Sequence, residues 1–158
     1  MSAIIYTAGY TSTKPAQWQA VAQKLDLTVI DTRISPMSRN PGAWDKTALE
    51  ALLGIRYVHV RELGNRNYKG GDIAILDLDR GVKLVTPYLR SGKSIVLMCA
   101  CTSHHTCHRT VVACELARLT GCKVTNWTAN DLKAVAESVS AEAAADMPLQ
   151  IEMFPGLG

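Results

Sequence analysis

Short apolar, often β-branched runs alternate with stretches of helical periodicity along most of the chain, and this alternation narrows the fold more than any other feature. Ala3–Ala8 is an apolar run closed by Gly9, and beyond it Trp18, Val21, Ala22 and Leu25 recur at helical spacing behind Thr13, a candidate N-cap, and Pro15. Leu27–Asp31 and Ile55–Val60 read as the second and third strands, with a short helix over Asp45–Leu53 between them. Ile73–Leu89 is mainly helical, with Gly81 and Pro87 as points of interruption. Ser94–Cys99 is the clearest strand and Cys107–Leu119 the clearest amphipathic helix, stopped by Gly121. Cys122–Trp127 gives a fifth strand, and Thr128 or Asn130 caps a helix running to about Ser138. Strands separated by helices predict an α/β fold: one compact domain over residues 1–140, with a mostly parallel sheet of about five strands and helices on both faces, Rossmann-like or flavodoxin-like.

A length of 158 residues fits one core, and 47% hydrophobic content excludes general disorder and collagen-like repeats. The longest apolar runs, such as Ile95–Cys101, fall far short of the ~20 residues of a membrane span. Met1–Tyr10 lacks the basic start of a signal peptide, so the expected setting is soluble and cytoplasmic, with no membrane partner. Five cysteines in such a chain read as reduced thiols and not as a disulfide framework.

The net charge of +3 is unevenly spread. All 17 basic side chains lie at or before Lys133, whereas Glu137, Glu142, Asp146 and Glu152 follow it, which leaves a body of +7 and a tail of −4. A basic body suits a phosphate-bearing small molecule or nucleic acid, and it suits plain solubility equally well. From Ala141 the composition shifts to Ala, Asp, Pro and Gly, so residues 141–158 are expected to form a flexible acidic tail. Within it, Gln150, Met153 and Phe154 resemble the short Gln-x-x-Leu/Met-Phe peptide with which bacterial replication and repair proteins dock on the sliding clamp. The alternative is an apolar patch folded back on the body.

In an open parallel sheet, ligands bind beyond the carboxyl ends of the strands. The most informative of these ends runs Cys-Ala-Cys-Thr-Ser-His-His-Thr-Cys-His-Arg over Cys99–Arg109, straight into a helix. Cys107, His108 and Arg109 then sit at that helix's start, where free N–H groups and the dipole attract anions and lower a thiol's pKa. The Cys-x5-Arg loop of phosphatases is absent, because Ser103 stands six residues before Arg109.

Thr7-Ala-Gly-Tyr10, Asp31-Thr-Arg33 with Pro36 and Ser38-Arg39, Tyr57-x-His59 with Glu62-Leu-Gly64, and Cys99 with Cys107-His-Arg109 together resemble the domain of unknown function 488 family, over about Ile4 to Leu119. The resemblance implies a compact α/β domain of bacteria, archaea and their mobile elements, with no settled activity. The chain departs from it in having Ala8 in the first motif, and Cys101, His104 and His105 in the loop before Cys107.

Asp31 ends the second strand beside Arg33, so it either orients or activates a substrate or ties two loops together in a buried ion pair. Arg33, Arg39 and Arg109 are candidate phosphate ligands, joined by Tyr10, His59 and Glu62 at the same sheet edge. His108 is a candidate general acid/base and Cys107 a candidate nucleophile; Cys107 can equally be a helix-start residue supporting Arg109. Cys99 reads as small-residue packing. Cys99, Cys101, His104 and Cys107 are candidate zinc ligands, with Cys101 and His104 or His105 at the spacing of a zinc pair, although the sequence has no Cys-x2-Cys knuckle to complete the site. The basic, glycine-containing loop Arg61–Asp72 either closes over a phosphate or is plain solvated surface. Trp44 and Trp127 read as core residues. The reading that results is an anion-binding enzyme performing hydrolysis or group transfer on a nucleotide or nucleic-acid substrate. A non-catalytic DNA-associated adaptor recruited to the clamp and a thiol or zinc sensor are the alternatives.

Overall fold

The computed structural model describes residues 2–40, 42–101 and 107–146, with side chains as far as 139. Five strands form one all-parallel sheet in the order β3-β2-β4-β1-β5: β1 Ile4–Gly9, β2 Thr28–Asp31, β3 Tyr57–His59, β4 Ile95–Cys99 and β5 Lys123–Asn126. The α/β class expected from the alternation is the one observed. Its strand order places β4, which is buried along its whole length, between β2 and β1.

Helices α1 (Pro15–Leu25), α2 (Lys46–Leu53) and α5 (Ala129–Asp146) share one face of the sheet. Trp18, Val21, Leu49, Leu53 and Leu132 pack there on Ala8, Val29, Val96 and Met98. Helices α3 (Leu78–Arg90) and α4 (His108–Thr120) cover the other face, where Val82, Val85, Val112 and Leu116 meet Ile5, Ile30, Ile95 and Leu97. Right-handed crossovers make this division necessary. The chain moves towards one edge from β1 through β2 to β3 and returns through β4 to β5, so the connecting helices change face when the direction reverses. The chain leaving β4 therefore turns to the opposite face from the chains leaving β1 and β2, which opens a crevice at the carboxyl end of β4.

Several local details differ from expectation. Lys14 is the N-cap of α1, and the Thr13 hydroxyl instead donates to the Tyr10 carbonyl (2.5 Å) and accepts from the Trp18 indole N–H (2.9 Å). Helix α3 starts at Leu78, capped by Asp77, and runs without a break through Gly81 and Pro87. Pro87 lies in its last turn, where it removes the one hydrogen bond that an N–H there would make to the Lys83 carbonyl and leaves only one turn of helix beyond it. Gly81 is needed for a different reason: a Cβ there would collide with the Leu63 side chain, so the helix can press onto the 3-10 turn Arg61–Leu63 only at a glycine. Helix α5 does not stop near Ser138 but continues to Asp146, across residue 140. Trp127 is buried and stacked on Tyr6 at 4.1 Å, while Trp44 is half-buried and stacks on Tyr10 at 4.6 Å. No helix among the described residues is long and apolar enough to cross a membrane.

Candidate functional site

The crevice at the end of β4 holds a cavity of about 470 Å³. Its floor is Cys99, Cys101 and His108, its near wall Thr32 and Arg33 after β2, and its far wall the Asn65–Ile73 loop. That loop is held shut at its base by Asn65, whose side-chain oxygen accepts from the Asn67 and Ala74 backbone N–H groups at 3.1 and 2.9 Å.

Three sulfurs meet here, those of Cys99 and Cys101 in the floor and that of Cys107 behind it. The Sγ atoms of Cys99, Cys101 and Cys107 all lie within 4.8 Å of one another, and Cys99 Sγ is 2.9 Å from Cys107 Sγ. Cys107 is the N-cap of α4, its sulfur accepting the Arg109 backbone N–H at 3.5 Å. The Arg109 side chain is 1% exposed and turns inward, so that Nη1 donates to Cys99 Sγ (3.1 Å) and to the Cys101 carbonyl (2.8 Å). Its Nε has no hydrogen-bond partner among the described residues. A buried cation therefore sits among the sulfurs. Although the Cys101 sulfur acts to lower it, the Cys99 thiol is pushed up to about 11 by the Cys107 sulfur and by burial. Cys101 is raised too, by its contact with Cys99 and by burial, so both hold their protons at neutral pH.

The His108 tautomer follows from the hydrogen-bond inventory. The single hydroxyl proton of Thr32 is given to the Met98 carbonyl at 2.9 Å. His108 Nε2, 2.9 Å from that same oxygen and 3.3 Å from the Thr32 carbonyl, must then be the donor. Nδ1 is left without a proton, 3.6 Å from Cys107 Sγ, and can accept the thiol hydrogen. Thr32 thus orients a base for Cys107, much as the third member of a nucleophile–base–orienter set does.

Burial pushes the His108 imidazole down from its usual value, against the Thr32 carbonyl, which favours the charged ring. A histidine held neutral in the fold takes up its proton more readily when unfolded. Its contribution is therefore fully present above about pH 6.5 and declines as the pH falls below that value, towards the lower folded pKa. The denaturation midpoint should fall between pH 7 and 5, and His108→Asn should flatten that slope. Equal slopes in both proteins would show that His108 does not cause it.

Of the remaining expected site residues, Tyr10, Asp31, Arg33 and His59 form one contact network, and Glu62 and Arg39 stand apart from it. Asp31 is fully buried and accepts from Arg33 Nε and Nη2 (2.9 and 2.7 Å), from the Arg33 backbone N–H (3.0 Å) and from the Tyr57 hydroxyl (2.5 Å). Burial alone would lower the Arg33 pKa; the Asp31 carboxylate overrides it and raises it. Burial and Asp31 together raise the Tyr57 hydroxyl. Arg33 also donates to the Trp44 carbonyl (2.7 Å) and lies over the Tyr10 ring at 5.1 Å. His59 Nε2 is 2.6 Å from the Arg33 carbonyl, and Glu62 is paired with Arg80 at 3.3 Å. Arg39 is exposed and does not line the cavity. Arg33, Arg39 and Arg109 therefore do not share one surface: a salt bridge occupies the first, the second stands outside, and the third is buried among thiols. Residues 102–106, with His104 and His105, lie outside the described residues, as do Gln150, Met153 and Phe154 of the expected docking peptide.

Sequence reasoning assigned no role to Thr32, Gly9 or Tyr57. Each acts across strands, and the only available signal was that all three stand within or beside the quoted motifs.

The fold and the site define a parallel α/β protein with a thiol cluster and a buried arginine at the carboxyl end of its central strand. The family model described as Domain of unknown function DUF488 matches residues 20–74, which supports the family assignment made from the motifs. That stretch carries the Asp31, Arg33 and Tyr57 network and the cavity's far wall, while β1 and the thiol cluster lie outside it. No curated protein and no solved structure matches the chain.

Proposed function

We propose that the cavity binds a small molecule bearing an anionic group, such as a phosphate, and that Cys107, which is 1% exposed behind the lining residues Cys99 and His108 and reaches the ligand when their side chains shift, attacks it in a group-transfer or hydrolytic reaction. The observation that carries this reading is the neutral His108 Nδ1 facing Cys107 Sγ at 3.6 Å, with its tautomer set by Thr32. His108 takes the thiol proton, the sulfur bonds to the electrophilic centre of the ligand, and the bond to the leaving group breaks. The proton held on Nδ1 then passes to that group. The start of α4, the Arg109 charge buried beneath the floor and the Asn65 amide supply the positive and donor character that favours an anion over a neutral ligand. A nucleotide is one ligand of this class. The adaptor reading rests on residues 150–154 and draws on no feature of the cavity.

Iodoacetate and iodoacetamide test this directly, because they deliver the same alkyl group with and without a charge. Cys107 should react faster with iodoacetate, and inorganic phosphate should slow that reaction. His108→Asn should lower the rate at pH 7 by about tenfold or more, as expected for a lost general base, and Thr32→Val should lower it less. A Cys107 that alkylates no faster in the folded protein than the exposed Cys114 would overturn the assignment.

The three sulfurs within 4.8 Å favour a second reading, zinc held by Cys99, Cys101 and Cys107. In that case the purified protein carries about one equivalent of zinc, and Cys101→Ser releases it. Metal-free protein with the alkylation pattern above would retire the zinc reading.

A further inference from the structure

We infer that Cys99 and Cys107 form a reversible disulfide that switches the site off, a modification of the same Cys107 on which the proposed function rests. The two sulfurs are 2.9 Å apart, inside ordinary contact distance and less than about 1 Å beyond an S–S bond length of ~2.05 Å. They are also held there. Cys99 ends the fully buried strand β4, and Cys107 caps α4, so one sulfur is fixed by the sheet and the other by a helix. Arg109 grips both, through Nη1 on Cys99 and the backbone N–H on Cys107. Closing the bond requires a side-chain adjustment and no rearrangement of either element.

The two thiols also differ in the way such a reaction needs. Cys107 has His108 Nδ1 3.6 Å from its sulfur, and Cys99 Sγ stands 2.9 Å away, placed to displace a leaving group from it. The oxidant is a hydroperoxide, small enough to enter the cavity and pass the lining residues Cys99 and His108 to the buried Cys107 sulfur in contact with both. His108 accepts the Cys107 proton, and the sulfur attacks the O–O bond. An S–O bond forms, the O–O bond breaks, and the departing alkoxide takes the proton as an alcohol (water, for hydrogen peroxide). Cys107 is now a sulfenic acid, oxidised by two electrons. Cys99 sulfur displaces the hydroxyl, its own proton leaving with it as water, and the S–S bond closes. A dithiol reductant reverses the step. Cys101, also within 4.8 Å, is the internal competitor that the test must exclude.

The full-length chain, reduced and freed of reductant, is treated with hydrogen peroxide and then with N-ethylmaleimide, and the labels are counted by mass. The count should fall from five to three. All three cysteines lie in one tryptic peptide, Ser94–Arg109, so fragmentation should find Cys101 labelled and Cys99 joined to Cys107. Cys99→Ser should make a dimedone adduct of Cys107 the main product, and Cys101→Ser should leave the crosslink unchanged. A crosslink through Cys101, or a Cys99→Ser protein with no Cys107 adduct, would overturn the disulfide. Zinc retained on the thiols through the treatment would do the same. Alkylation of Cys107 by iodoacetate without any crosslink sinks the disulfide alone; resistance of Cys107 to both reagents sinks the proposed function as well.

Discussion

Replacing Asp31 with alanine should cost roughly 3–5 kcal/mol of stability, because it strands one partner of a buried ion pair. In a domain of this length that is about 6–20 °C in Tm. The carboxylate is fully buried and takes four hydrogen bonds, three from Arg33 and one from Tyr57. Without it, the Arg33 guanidinium keeps its charge, its side chain only 16% exposed, with the Trp44 carbonyl and the Tyr10 ring as its remaining partners. The test is a double-mutant cycle. Asp31→Leu combined with Arg33→Met should be clearly less destabilised than Asp31→Ala alone, since the pair is then removed as a unit. If the double variant is as unstable as the sum of the two single ones, the ion pair is not what Asp31 contributes. Arg33 borders the cavity, so Asp31→Ala should also weaken phosphate protection of Cys107. Such a loss would come through Arg33, since Asp31 does not touch the cavity.

This network also marks where the sequence could and could not be read. Asp31-Thr-Arg33 is visible as a polar strand end, and its place at the sheet's carboxyl edge follows from the strand–helix alternation alone. Whether Asp31 faces a ligand or a partner depends on Tyr57, which stands 26 residues away and meets it only because β3 pairs with β2 in the register Asp31↔His59. Thr32 is hidden for the same reason. It orients His108 because β2 lies beside β4, with Asp31 opposite Met98, and a parallel strand carries no local sign of which strand will flank it. Arg109 misleads in the other direction: an arginine at a helix start suggests a ligand contact, whereas here it is buried under the cysteines. Helix α5 runs eight residues past the end expected for it near Ser138. Ala-Glu-Ala-Ala-Ala over residues 141–145 is among the strongest helix-forming compositions, and the shift in composition there marks no helix end.

Gly9→Ala should damage the site more than any other substitution that adds only a methyl group. Gly9 ends β1 and pairs with Cys99, and a Cβ built on it would run into the Cys101 carbonyl oxygen and come within 3.1 Å of Arg109 Nη1. The obstacle is backbone on one side and a buried guanidinium on the other, so neither can swing away as a surface side chain would. The Cys101 carbonyl has to move. That breaks its 2.8 Å hydrogen bond with Arg109 and separates Cys101 from the other two sulfurs. Overpacking of this kind costs about 1–3 kcal/mol. The second effect is chemical: Cys101 should alkylate faster, and any zinc held by three sulfurs should be lost. The Cys99–Cys107 pair, held by β4 and by the α4 cap, should still close under peroxide. Gly42→Ala is the control, because a Cβ there meets nothing within 4 Å among the described residues; it should change neither stability nor thiol reactivity measurably. If Gly9→Ala behaves like Gly42→Ala, the Cys101 carbonyl is not pinned against β1, and the cluster is looser than its geometry implies. If it instead abolishes the Cys99–Cys107 crosslink, Arg109 is the element that aligns those sulfurs, and the rigidity of β4 and α4 alone does not suffice.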